Sequence, residues 1–155
     1  MSTSHSLTYK TVDFWLHDLS NAWLNTVHPN GHAHSVPICF WWNGSEKLLY
    51  FVSRRDTAKV RHIAAHPAVR LQASYGEMSI IAEGDAHRVK DADELSSVGL
   101  AWREKYLEEH FLNVGEDLYC VQVNRICIWE YRDAVRYQEW EFDHLMPSAV
   151  SVAAL

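Results

Sequence analysis

Apolar and polar positions along the chain follow two periods, and the period changes where the elements change. In "VDFWLHDLSNAWL", Val12, Trp15, Leu16 and Leu19 recur three and four residues apart, which places them on one face of a helix. The next stretch, "AWLNTVHPNGHAHSVPICFWW", reads as a hairpin, with strands from Ala22 to His28 and from about His32 to Trp42. Pro29-Asn30-Gly31 makes its turn, since Asn and Gly both tolerate positive φ. Asn43 to Glu46 is a second turn, and "KLLYFVS" the following strand. Asp56 is the expected N-cap of a helix running to about Ala65, with Val60, Ile63 and Ala64 as its apolar stripe and Pro67 as its stop. Ala68 to Ser74 and Ser79 to Lys90 read as strands around a Tyr75-Gly76 turn, where Gly84 marks a bulge or a close backbone approach. The longest helix is predicted from Asp91 to about Phe111, capped by Asp91 or Asp93, with Leu95, Val98, Trp102 and Tyr106 at helical spacing. Leu118 to Arg132 reads as one bent strand or two short ones, and "YQEWEFDHLMP" as an added edge strand. Many antiparallel strands with two or three helices predict an α+β barrel.

Length and charge narrow this picture. A chain of 155 residues suits one domain, with the core over about residues 12–147 and a loose tail over 148–155. A net charge of −6 argues against a general nucleic-acid binder, which needs an extended basic face, but it leaves room for a local anionic ligand. No apolar run approaches the roughly 18–20 residues of a membrane span. The start, "MSTSHSLTYK", has no apolar signal core, so no export is expected. Three cysteines, Cys39, Cys120 and Cys127, match no zinc or redox spacing and suit a reducing cytoplasm. Seven tryptophans and seven tyrosines provide either core and interface mass or the walls of a planar ligand site.

The positive charge is concentrated in "FVSRRDTAKVRHIAAHP", Phe51 to Pro67. A helix N-terminus presents unpaired N–H groups and the positive end of the macrodipole. Ser53 and Thr57 add hydroxyls, Lys59 an ammonium, and Arg54 and Arg55 guanidinium forks, a set suited to a phosphate monoester. Asp56 opposes this, because a carboxylate cap competes for the same N–H groups. The other reading is a solvated loop whose cations balance nearby acids. Arg61 and His62, a turn further on, are expected at the surface. No G-x-x-x-x-G-K-[ST] run is present to suggest a nucleotide triphosphatase. His32 and His34 share a strand face but lack an identifiable third ligand, so a solvent-facing hairpin is expected rather than a metal site. Glu83 and Asp85 belong to an exposed or cavity face of their strand rather than to an acid/base pair.

Taken in order, these segments resemble the FMN-binding split-barrel family typified by pyridoxamine 5′-phosphate oxidase, over about residues 12–147. The resemblance is strongest in "LYFVSRRDTAKVRHIAAHPAVRLQAS", a strand ending in Ser or Thr, a polar loop and a Lys on a short helix. "SIIAEGDAHRVKD" is similar to the family's strand with a Gly-x-Ala ending, and "EWEFDHLMP" to a weakened form of the oxidase's closing segment. Ala58-Lys59 stands where the oxidase has Arg-Lys, and His144 where it has Arg. The resemblance implies a six- to seven-stranded antiparallel split β-barrel with peripheral helices. It implies that Ser53, Thr57 and Lys59 hold the FMN phosphate, with Arg54 or Arg55 as a further clamp. Val36, Pro37, Ile38, Cys39 and Phe40 would offer backbone groups to the flavin edge. FMN would lie at the interface of a homodimer, with Trp129 or Trp140 among the contacts from the second subunit. The implied activity is flavin-dependent oxidation or reduction of a small substrate or cofactor, with no metal. Other members bind F420 or haem in place of FMN, so a non-catalytic flavin- or haem-binding stress protein is the alternative.

Overall fold

A computed structural model describes residues 7–144, so the tail over 148–155 lies outside the described residues. Helix α1 (Tyr9–Asp18) starts at Thr8, whose hydroxyl accepts from the Thr11 N–H, and it buries Val12 and Leu16 against the sheet. Strands β1 (Asn21–Val27) and β2 (Ala33–Cys39) form the first hairpin, in register from Asn21↔Cys39 to Val27↔Ala33. Gly31, at φ 89°, makes the turn between them. Then follow β3 (Trp41–Asn43), β4 (Leu48–Arg54), α2 (Ala58–Ala65), β5 (Ala68–Tyr75) and β6 (Met78–Arg88). The chain continues through α3 (Ala92–Tyr106), β7 (Glu116–Glu130) and β8 (Arg136–Glu141).

All strand pairings are antiparallel. The strand order is β2-β1-β5-β6-β7-β4-β3. The two ends of this sheet, β2 and β3, are consecutive in the chain and separated by Phe40 alone. The sheet must therefore curl until its first and last strands meet, which makes a barrel split at one residue. β7 is long enough to serve two partners along one edge: Glu116 to Gln122 pairs with β4, and Arg125 to Glu130 with β8. Its other edge pairs with β6 across a bulge between Glu83 and Gly84. Gly84 is required there, because a Cβ would lie 2.1 Å from the Gln122 carbonyl oxygen.

Leu24, Phe40, Trp42, Leu49, Phe51, Val123, Ile126 and Ile128 are wholly inaccessible and fill the barrel, with α1 closing one side. A second, smaller core of Tyr50, Val89, Val98, Leu118 and Cys120 holds α3 on the outside. The fold is thus α+β, an antiparallel split barrel with three helices at its periphery. No helix among the described residues is long and apolar enough to cross a membrane.

Three local expectations need correction. The strand expected to run unbroken to Trp42 stops at Cys39, because Phe40 turns inward and its backbone is held by side chains of α3. The α2 N-cap is Thr57, not Asp56, whose carboxylate is taken by Arg54 instead. Helix α3 ends at Tyr106 rather than near Phe111. Leu107 adopts the left-handed conformation at φ 54°, and the returning Phe111 ring packs over Gly99, where a Cβ would stand 2.9 Å from it.

Candidate functional site

Strand β4 delivers Ser53 to the mouth of the barrel, and the chain turns at once into α2. Ser53 is buried, and its hydroxyl is 3.0 Å from that of Thr57; both hydroxyls also reach the Arg54 carbonyl. Thr57 takes the N-cap position with an extended backbone, but its side chain caps no N–H of the helix. The first-turn N–H groups are thereby left open beside two hydroxyls, the arrangement that favours an anion.

Lys59, in that first turn, is half-buried, and burial lowers its pKa from the ordinary lysine value. Among the described residues it has no hydrogen-bond or ion-pair partner. A partly desolvated ammonium without a counter-charge is unfavourable by itself and is relieved by an anionic ligand. The two arginines behave differently. Arg54 is exposed and makes a two-pronged contact with Asp56 at 3.0 and 3.2 Å, which holds the Asp56 carboxyl below its ordinary range. Arg55 donates to Asp117 at 3.0 Å, and Arg88 approaches the same carboxylate at 3.7 Å. Both arginines are therefore committed to carboxylates. A cleft of about 410 Å³ lies between Arg54, Arg55 and the loop over residues 113–116. A second, of about 390 Å³, lies between Arg55, Arg88, Val60, Ile63 and Tyr119.

The expected flavin-edge segment is an edge strand. β2 pairs with β1 on one side, so half of its backbone N–H and C=O groups face away from that partner. Ile38 and Phe40 point into the core, Pro37 and Cys39 are exposed, and Val36 is intermediate. At the split, the Tyr106 hydroxyl accepts from the Phe40 N–H at 2.9 Å and lies 2.8 and 2.6 Å from the Phe40 and Ser20 carbonyls. Lys105 donates to the Phe40 carbonyl at 2.8 Å and rests over the Phe40 ring, and its burial lowers its pKa to about 8. This clamp at the end of β2 was missed from sequence, since nothing in the spacing of Lys105 and Tyr106 ties them to Phe40, 65 and 66 positions earlier. Trp129 packs against Tyr137, and Trp140 against Tyr9. The structure thus pairs the Ser53 and Thr57 hydroxyls at the head of the helix that carries Lys59, while Trp129 and Trp140 belong to the β7–β8 side.

His62 corrects another expectation: it is buried, not at the surface. Its Nδ1 is 2.9 Å from the hydroxyl of the buried Thr26, and the rings of His34 and His28 meet it edge-on at 4.9 and 5.2 Å. The apolar stripe predicted for α2 is narrow, so the inner face is completed by this histidine.

Residues 9–128 match the sequence pattern of the family described as pyridoxamine 5′-phosphate oxidase. The chain belongs to that family. Pyridoxamine 5′-phosphate oxidase-like proteins commonly bind FMN in this split-barrel fold. Solved structures agree on the fold at low identity. A pyridoxamine 5′-phosphate oxidase-related, FMN-binding protein from Nostoc punctiforme is 13% identical, with a TM-score of 0.60 over 90% of this chain and 98% of that one. General stress protein 26 from Bacillus anthracis is 17% identical, with a TM-score of 0.67 over 86% and 97%. An F420 reductase is 20% identical, with a TM-score of 0.59 over 74% and 94%. No curated protein matches the chain. Within the oxidase-like family, this chain carries Ala58-Lys59 at the head of α2, and a second helix cation, Arg61, donates back to the Asp56 carbonyl at 3.1 Å.

Proposed function

We propose that this chain binds FMN, with the phosphate on the Ser53 and Thr57 hydroxyls, the first-turn N–H groups of α2 and Lys59. The observation that carries the reading is Lys59, a half-buried ammonium with no counter-charge beside an uncapped helix start. Arg54 and Arg55 contribute through the field of the loop rather than as direct clamps, because each is occupied by a carboxylate. The free edge of β2, over Val36 to Cys39, faces the ring; Phe40, expected to share in it, does not, because Tyr106 and Lys105 occupy its N–H and carbonyl and so anchor the end of the strand. Bound FMN would supply the redox chemistry, and the protein would orient it and exclude water.

The active form in this reading is a homodimer in the cytoplasm. The outward faces of β1 and β2 expose Trp23, Val27, Pro37 and Cys39, and Trp23 is 54% accessible, an apolar surface suited to a second copy. Trp129 and Trp140 would then approach the partner's flavin. The activity is that of an FMN-dependent oxidoreductase on a small substrate or cofactor. The likeness to an F420 reductase supports a deazaflavin as the second reading for the same phosphate site.

The purified chain, titrated with FMN, should take up one flavin per chain and then be bleached by a pyridine nucleotide and recover in air. A chain that takes up no FMN contradicts the reading. Bleaching without recovery would point to a reductase rather than an oxidase. FMN held but never reduced would make the chain a carrier, and preferential uptake of F420 would favour the second reading.

A further inference from the structure

Three histidines tie the two arms of the candidate site together. His62 belongs to α2, the helix that presents Thr57 and Lys59. His28 follows β1, and His34 lies in β2, the strand that leads into Val36 to Phe40. The His34 and His28 rings stand 4.9 and 5.2 Å from that of His62, each edge-on, and Thr26 of β1 binds His62 Nδ1. His34 Nδ1 is buried with no hydrogen-bond partner. Among the described residues, no group of three or more His, Cys, Asp or Glu has the geometry to hold a metal ion. The cluster is therefore read as packing between imidazoles.

We propose that His28, His34 and His62 form an acid-sensitive latch, which fastens α2 to the β1–β2 hairpin while His62 is neutral and releases it when His62 gains a proton. An imidazolium donates from both nitrogens. Thr26 can accept one of these bonds, but His62 has no hydrogen-bonded or ion-paired carboxylate for the other. The titratable or charged groups facing it are His34 and His28 from the hairpin and Arg61 from its own helix. Arg61 repels a further positive charge, and His34 and His28 do so once they are themselves protonated. Burial, and then these neighbours, lower the pKa of His62 from the ordinary histidine value. Below the ordinary value the unfolded chain binds the proton and the folded chain does not, so the stability that the latch contributes at neutral pH is lost as pH falls. The consequence for the cofactor rests on the FMN reading: loosening α2 from β2 separates the phosphate arm from the ring-edge arm, and FMN is released in acid.

The test uses the full chain, first without FMN. Between about pH 7.5 and 5.5, which spans the ordinary histidine range, His62 is followed by NMR, and amide exchange is measured over residues 58–65. His62 should titrate below the ordinary histidine value. Exchange over α2, corrected for its intrinsic pH dependence, should quicken as His62 titrates. The urea midpoint should fall further for the native chain than for His62→Gln. A His62 that titrates at or above the ordinary value overturns the latch, as does unchanged α2 exchange or an equal fall in midpoint. Should His62→Gln fail to fold, the first two measurements still decide. FMN affinity is then compared across the same range in the native chain and in His62→Gln, because the FMN phosphate itself changes charge near about pH 6. A steeper loss in the native chain, by up to about tenfold per pH unit, the ceiling for one proton, supports the coupling, and equal slopes in the two chains refute it. No FMN binding at about pH 7.5 would sink the FMN reading itself and leave the latch to the measurements on the cofactor-free chain.

Discussion

Replacing Lys59 by alanine separates a phosphate site from a solvated basic loop. The loop over residues 53–59 holds three cations, and only Lys59 has no partner among the described residues. A hydrogen bond to a charged group contributes about 1.5–3 kcal/mol. Lys59→Ala should therefore weaken FMN about ten- to a hundred-fold, at about 1.4 kcal/mol per factor of ten. Arg54→Ala removes an exposed pair with Asp56, and such pairs are worth at most about 1 kcal/mol, so FMN should weaken less than about fivefold. Riboflavin, which has the ring but no phosphate, provides the internal control, and Lys59→Ala should leave its binding unchanged. Quenching of flavin fluorescence in equilibrium titrations gives all of these constants. The reasoning fails if Arg54→Ala costs more than Lys59→Ala, or if Lys59→Ala weakens FMN and riboflavin equally.

Other expectations follow from the same geometry. Because burial lowers the pKa of Lys59 and a bound phosphate favours its charged form, FMN affinity should fall on the alkaline side for the native chain but not for Lys59→Ala. Tyr106→Phe strands the Phe40 N–H at the split in the barrel and should cost about 1–3 kcal/mol in urea unfolding with an unchanged m value; a change under about 0.5 kcal/mol would show that the clamp is dispensable. Gly84→Ala drives a Cβ into the Gln122 carbonyl and should destabilise by about 1–3 kcal/mol through backbone displacement, so native-like stability would refute the close approach.

Much of this architecture was legible in the chain. The Asn-Gly turn, the alternation in β5 and β6, the Gly84 bulge and the Pro67 stop are local signals, and each element they mark is present. The approach of Ser53 to Thr57 was legible because both lie on one short loop at the head of α2. Contacts between distant segments were not. Asp56 reads as a cap by residue type, yet its neighbour Arg54 takes the carboxylate. His62 reads as polar surface in a short basic helix, and only the hairpin packed across it makes it interior. The interruption at Phe40 has no local signal either. It arises because the sheet must close on itself at the one residue joining its first and last strands.

A crystal structure of the chain grown with FMN tests the central claim most directly. The account predicts the phosphate within hydrogen-bond distance of the Ser53 and Thr57 hydroxyls and Lys59 Nζ, with the ring along the free edge of β2. A phosphate lodged instead in the cleft between Arg54, Arg55 and the loop over residues 113–116 would contradict it.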